Sequence, residues 1–218
     1  MIKNLMRAAM AAALTVLPLT APAPAHASET LSLAEAVNSL PLAAESRDGY
    51  QRTSFKHWNA GKNPTDGCNT RMEVLLSEAV DAPQVLPGCK LSGGRWWSYY
   101  DAKWVTSAGA LDVDHMVPLA EAWDSGASQW TAARREAYAN DLAAERSLVA
   151  VTAGSNRSKA DQDPAQWLPN TEVTCRYLSE WTATKKRWEL TADAEEWAAL
   201  AQLAEACPTT TVVYEPVP

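Results

Sequence analysis

Four cysteines, Cys68, Cys89, Cys175 and Cys207, limit what this chain of 218 residues can become. Their number is even, and the chain opens as an export leader does. Lys3 and Arg7 precede the apolar run from Ala8 to Leu19, and Ala25-His26-Ala27 puts small residues at both specificity positions of a signal-peptidase site. In an exported chain such a count reads as a disulfide framework. Cys175 lies early in one helical segment and Cys207 ends the next, so an antiparallel helix hairpin joins them and leaves Cys68 to Cys89. Zinc is the alternative, but no two cysteines show CxxC spacing and none has a histidine nearby. The leader is expected over residues 1–27 and the mature, secreted chain over 28–218. No later segment approaches the ~18 consecutive apolar residues of a membrane span.

Residues 28–218 are enough for a single domain with its own core. Ten tryptophans and one phenylalanine, Phe55, mean a core built on indoles, each needing a partner for its N–H. Setting aside the leader's two basic residues leaves seventeen basic against twenty-six acidic side chains, a charge of about −9. That sign excludes a protein held to a polyanion by its general field. A polyanionic substrate would need local basic groups or a bound cation. Arg134-Arg135 and Lys185-Lys186-Arg187 read as solvated helix faces, which leaves Arg157 with Lys159.

Ser32 and Glu35 form a capping box ahead of Leu33, Ala36, Val37 and Leu40, which predicts a short amphipathic helix. Residues 47–69 read as an irregular loop. Met72 to Ala79 predicts a second helix, residues 85–91 a strand or turn, and the aromatic stretch after Gly93-Gly94 a hairpin. Trp96, Trp97, Tyr99 and Tyr100 in that hairpin are the aromatics expected to stack on unpaired bases, if any do. A strand over 111–117 runs into a helix opened by Pro118. Thr131 caps another helix, and residues 147–153 form a short strand. A polar turn follows and enters a short helix at Pro164; helices over about Glu172–Trp188 and Asp193–Ala206 precede a tail too short to be a domain.

The chemistry gathers around "LDVDHMVPLA", residues 111–120. His115 is one of two histidines in the mature chain and stands beside Asp114. Two antiparallel strands backed by a helix would bring the turn bearing Asn156 and Lys159 to the end of strand 111–117. Hydrolysis of a phosphodiester needs a base for water, a cation for the transition-state charge and positive groups on the phosphate. His115 suits the first, since an unperturbed pKa of ~6.5 leaves neutral imidazole available near pH 7. Asp114 and the Asn156 carbonyl are hard oxygen donors that suit Mg²⁺ or Mn²⁺. Arg157 and Lys159 suit phosphate oxygens. Asp and His adjacent on a regular strand point to opposite faces, so a shared centre requires the backbone to bend. Asp112, on the face of Asp114, is a candidate outer ligand, and His57 reads as a packing residue.

"DVDHMVP", Asn156 in "NRSK" and "DQDP" resemble the HNH (ββα-metal) endonucleases, including the HNH domain of RNA-guided CRISPR nucleases. "GCNTRMEVLL", "RWWSYYD", "LDVDHMVPLAEAWDSGA" and "CRYLSEWTATKKRW" are similar to secreted HNH proteins related to the C-terminal nuclease domain of GmrSD-type restriction enzymes. The resemblance implies an α+β fold: a ββα-metal core hairpin plus helix, over about 111–169, embedded in a mostly helical domain. It implies His115 as general base and Asp114 and Asn156 as ligands of one divalent cation. The family's middle asparagine, which ties the loop between the strands and orients the histidine, falls at Ser147, with Asn140 or Asp141 as possible substitutes. The resulting expectation is a secreted, monomeric, metal-dependent endonuclease acting on DNA with little sequence preference. The competing expectation is a weakly active or inactive nucleic-acid-binding or adhesion module on the same scaffold.

Overall fold

The computed structural model describes residues 27–217. The expected leader therefore lies outside the described residues except for Ala27. In chain order the elements are β1 (Glu29–Ser32), α1 (Leu33–Asn38), α2 (Thr70–Ser77), β2 (Gln84–Leu86), β3 (Lys90–Ser92), β4 (Trp96–Ser98), β5 (Lys103–Val105), β6 (Leu111–His115), α3 (Leu119–Asp124), α4 (Ala132–Ala139), β7 (Leu148–Thr152), α5 (Ala153–Lys159), α6 (Thr174–Trp188), α7 (Ala194–Glu205) and β8 (Thr211–Tyr214). Among the described residues every sheet is an antiparallel pair: β1–β8, β2–β3, β4–β5 and β6–β7. The mixed α+β class is as expected. The capping box forms, with Glu35 N–H donating to Ser32 and the Ser32 N–H donating to the Glu35 carboxylate.

Two local expectations are corrected. The stretch bearing Asn156 and Lys159 is a helix, α5, capped by the Thr152 side chain, and the segment at Pro164 is a turn. Gly154, Ser155 and Asn156 are weak helix formers, so packing against β6 and β7 sustains a helix that propensity conceals. The C-terminal tail supplies β8, whose Thr211–Tyr214 pairs with Ser32–Glu29 and joins the two ends of the fold.

The β6–β7 pair lies between two cores. Leu111 stands opposite Thr152 and His115 opposite Leu148. Strand alternation gives Leu111, Val113, Leu148 and Ala150 to one side, against Val74, Leu75 and Trp96. Val149 and Val151 on the other side join the main core, where Tyr177, Trp181 and Trp188 of α6 are buried. Because α6 packs against α1, α7 and β8, its last turn has little free face. The run Lys185-Lys186-Arg187 is accordingly not a solvated face: Lys185 is fully buried, donating to Glu121, Glu196, Ser125 and the Thr191 carbonyl, and Arg187 holds Asp141.

Both cross-links form, Cys68–Cys89 and Cys175–Cys207, spanning 21 and 32 residues. Chain entropy assigns closures of that length about 3–4 kcal/mol each. Thermal melting of reduced, alkylated protein should therefore fall more than about 10 °C below the oxidised form; coincident melting curves would refute this.

A pH effect arises at the edge of β7, where the Ala150 N–H donates to Glu78 at 2.9 Å. Burial raises the Glu78 carboxyl to about 7 from its ordinary 4.5. The folded state thus keeps a proton that the unfolded chain releases between about pH 4.5 and 7, so stability falls as pH rises through that window. Glu45, pushed up to about 8 by burial, and Glu196, to about 7, act with the same sign. The melting temperature should be higher at pH 5 than at pH 8. Glu78→Gln should flatten that slope by an amount on the order of 1–3 kcal/mol, and an unchanged slope in the variant would remove Glu78 from the account.

Candidate metal and catalytic site

Helix α5 leaves β7 at Thr152, opposite Leu111, so its first turn lies over Asp112 and its second over Asp114. Asn156 accordingly donates from Nδ2 to Asp112 Oδ2 at 3.2 Å, and both residues are half-buried. One turn on, the Lys159 ammonium meets Asp114 Oδ2 at 2.6 Å and donates to the His115 and Met116 carbonyls, each at 2.9 Å. Lys159 is 0% exposed and all three of its donors are used. The Tyr100 hydroxyl donates to the same Asp114 oxygen at 2.7 Å. Burial pushes the Asp114 carboxyl up and the Lys159 ammonium down, and their mutual attraction only partly restores each.

His115 projects from the opposite face of β6. Its Nε2 lies 3.0 Å from the Ala139 carbonyl, which can only accept, so Nε2 carries the proton and Nδ1 the lone pair. The ring is stacked between Trp58 (5.6 Å) and Tyr138 (6.2 Å), with His57 edge-on at 6.3 Å. Burial lowers the imidazole to about 3, so it is neutral across the physiological range. Only 5% of the residue is exposed. Trp58 holds a left-handed backbone at φ 60°, a conformation that costs a bulky residue energy and must be enforced by its surroundings. Asn140 does so, accepting from the Asn59 N–H and donating to the Lys56 carbonyl, each at 2.9 Å.

The structure rearranges the expected site. It brings Asn156 to Asp112 rather than to Asp114, because α5 runs alongside β6 from its Leu111 end. Lys159 cannot serve as a phosphate contact from a fully buried position; it fastens the end of β6 instead. Ser147 does not touch the imidazole: its hydroxyl donates to Asp141 at 2.9 Å, and Asp141 is clamped by Arg187 and Trp188. The loop between the strands is tied through Asp141 and Asn140, and the Ala139 carbonyl orients His115. Arg157 is exposed beside Asn156. Of the four hairpin aromatics, Trp96, Tyr99 and Tyr100 are buried and only Trp97 is open. His57, expected as a packing residue, lies edge-on against Trp58 and His115; Trp58 carries no periodic signal in its loop, and its positive φ is visible only in the fold.

Two other features compete for attention. Glu45, Glu121 and Glu196 bring carboxylate oxygens within 4.8 Å of one another, but the Lys185 ammonium already bonds two of the three. A cleft of about 510 Å³ lies between α6, β8 and residues 143–147, and of the expected site residues Ser147 alone lines it.

With this geometry in view, the chain matches the model of the C-terminal domain of GmrSD restriction endonucleases over residues 54–203. The chain belongs to that family. The GmrSD C-terminal domain match spans β6, β7 and α5 together with α2 to α6 and leaves β1, α1 and β8 outside. Family membership points to nuclease chemistry and a nucleic-acid substrate. An uncharacterized secreted protein of Arthroderma benhamiae is 36% identical over 205 residues, covering 91% of this chain and 97% of its own. Two disulfides and a secreted relative agree with an exported protein. No solved structure matches the chain.

Proposed function

We propose that the mature chain is a secreted, divalent-metal-dependent endonuclease of the HNH (ββα-metal) type that cleaves DNA with little sequence preference, His115 acting as general base. The observation that supports it most is the pairing of Asp112 with Asn156 at the half-buried edge where α5 meets β6. The donor set fits a hard cation: a carboxylate at Asp112, an amide whose carbonyl is presented by turning the Asn156 side chain, and Asp114, whose two bonds both fall on Oδ2 and leave Oδ1 on the same face of β6. Mg²⁺ or Mn²⁺ bound there would supply charge stabilisation at the phosphate and the leaving oxygen. His115 Nδ1 takes the proton of the attacking water, with Ala139 fixing the tautomer through Nε2. Arg157, exposed one residue beyond Asn156, contacts phosphate. His115 stands on the face of β6 opposite that donor set and is nearly covered, so bringing Nδ1 to the attacking water requires the end of β6 to bend and the His57–Trp58 segment to yield, and the strained backbone at Trp58 suits a segment with two positions.

That same cover favours a second reading, a binding module on the HNH scaffold that does not cut. Supercoiled plasmid incubated with the mature protein in Mg²⁺, Mn²⁺ or EDTA separates the two. The nuclease reading predicts nicked and linear DNA in metal and none in EDTA; retarded but intact plasmid under every condition supports the module. Asp112→Asn should raise the Mn²⁺ concentration for half-maximal cleavage by about tenfold or more.

A further inference from the structure

Of the eight large hydrophobic residues most exposed among the described ones, five lie between residues 80 and 104: Val80, Val85, Leu86, Trp97 and Trp104. Trp97 and Trp104 face each other across the β4–β5 pair with ring centroids 5.0 Å apart, and they are 39% and 51% exposed. The Arg95 guanidinium lies 4.3 Å from the Trp104 ring centroid. We propose that this face is a stacking platform for unpaired bases of a single-stranded nucleic acid, outside the hydrolytic centre. The choice of occupant rests on the nuclease reading.

Local charge supports it. Residues 80–105 carry Lys90, Arg95 and Lys103 against Asp81 and Asp101, so this segment has a small positive excess on a chain that is otherwise strongly acidic. Arg95 is held by exposed Asp81 at 2.6 Å and the exposed Lys103 by half-buried Asp101 at 3.1 Å; ion pairs with a solvated cation are weak, and the two cations can exchange their partners for a phosphate. Half-exposed indoles beside cations suit bases and phosphates in alternation. The platform is also mechanically joined to the proposed site. Ser98, at the end of β4, accepts from the Thr152 N–H at 2.9 Å, and Asp101 accepts from the Thr152 hydroxyl at 2.8 Å. Thr152 is the residue that caps α5, which carries Asn156. A strand laid over the hairpin is thereby placed beside the helix of the proposed centre.

The test is fluorescence anisotropy of a short labelled thymidine oligonucleotide titrated with mature protein in EDTA, where no cleavage occurs, comparing wild type with Trp97→Ala/Trp104→Ala. Both indoles point outward, so unchanged circular dichroism and melting are expected, and Trp104→Tyr, which keeps a ring, should retain binding. Loss of stacking should weaken binding about 10- to 100-fold. An abasic oligonucleotide of equal length should bind wild type as weakly as the normal one binds the double variant. Equal affinity of wild type and double variant, or of abasic and normal strands, overturns the proposal. So does a soluble polysaccharide that binds in place of the oligonucleotide and depends on the two indoles. Because binding is read without metal, a protein that binds this way but cuts nothing sinks the nuclease reading alone, whereas one that cuts plasmid with both indoles dispensable sinks the platform alone.

Discussion

Lys159→Met should destabilise the fold by about 3–5 kcal/mol, enough to lower the melting temperature by roughly 10 °C or more. The substitution removes the cation from Asp114 in a fully buried setting and strips the His115 and Met116 carbonyls of their donor. The pair is not itself a strong stabiliser. Burial already biases both members toward their neutral forms, Asp114 upward and Lys159 downward. What the variant exposes is therefore the cost of a lone buried carboxylate, and its sign with pH follows. With its partner gone, the Asp114 carboxyl rises further above its unfolded value, so folding retains a proton and the deficit grows as pH increases from the ordinary carboxylate range toward neutrality. Adding Asp114→Asn should recover most of the loss in a double-mutant cycle. Melting curves of the three variants across pH 4–8 would check this; strictly additive losses would mean that Lys159 and Asp114 do not depend on each other.

How much of this was legible beforehand varies by element. The capping box at Ser32, the α6–α7 hairpin, the two disulfides and the strand expected over 111–117, which ends two residues earlier at His115, follow from caps, apolar period and cysteine arithmetic. Helix α5 did not, because Gly154, Ser155 and Asn156 resist helix locally and only packing on β6 and β7 holds them. Once that helix exists, the partners of Asn156 and Lys159 are forced: two strand positions, Asp112 and Asp114, meet two positions one helical turn apart. Read as a turn, the stretch gives no sign that Asn156 pairs with Asp112 and Lys159 with Asp114. The burial of Lys185 and Arg187 was hidden for a different reason. A run of three cations looks solvated unless the acids that neutralise it, Glu121 and Glu196 for one and Asp141 for the other, are known to converge from remote positions.

The second large effect concerns His115. If Nδ1 is the base, His115→Ala should reduce cleavage by about 10²–10⁴-fold, the usual weight of general base catalysis, while the Mn²⁺ concentration for half-maximal cleavage, set by the proposed ligands Asp112 and Asn156, stays unchanged. A ring stacked between Trp58 and Tyr138 also packs, so some loss of melting temperature accompanies the substitution. Lost activity alone does not separate base from packing. The cavity left between those rings does, since it has the shape of an imidazole, and imidazole added to the buffer can occupy it and accept the proton there.

The most direct measurement is the rate of plasmid nicking by mature wild-type protein and by His115→Ala in Mn²⁺, with and without added imidazole. The account predicts cleavage by the wild type, a fall of at least about 10²-fold in the variant, and partial recovery with imidazole. Equal rates for the two proteins, or intact plasmid with wild type in every metal tried, would contradict it.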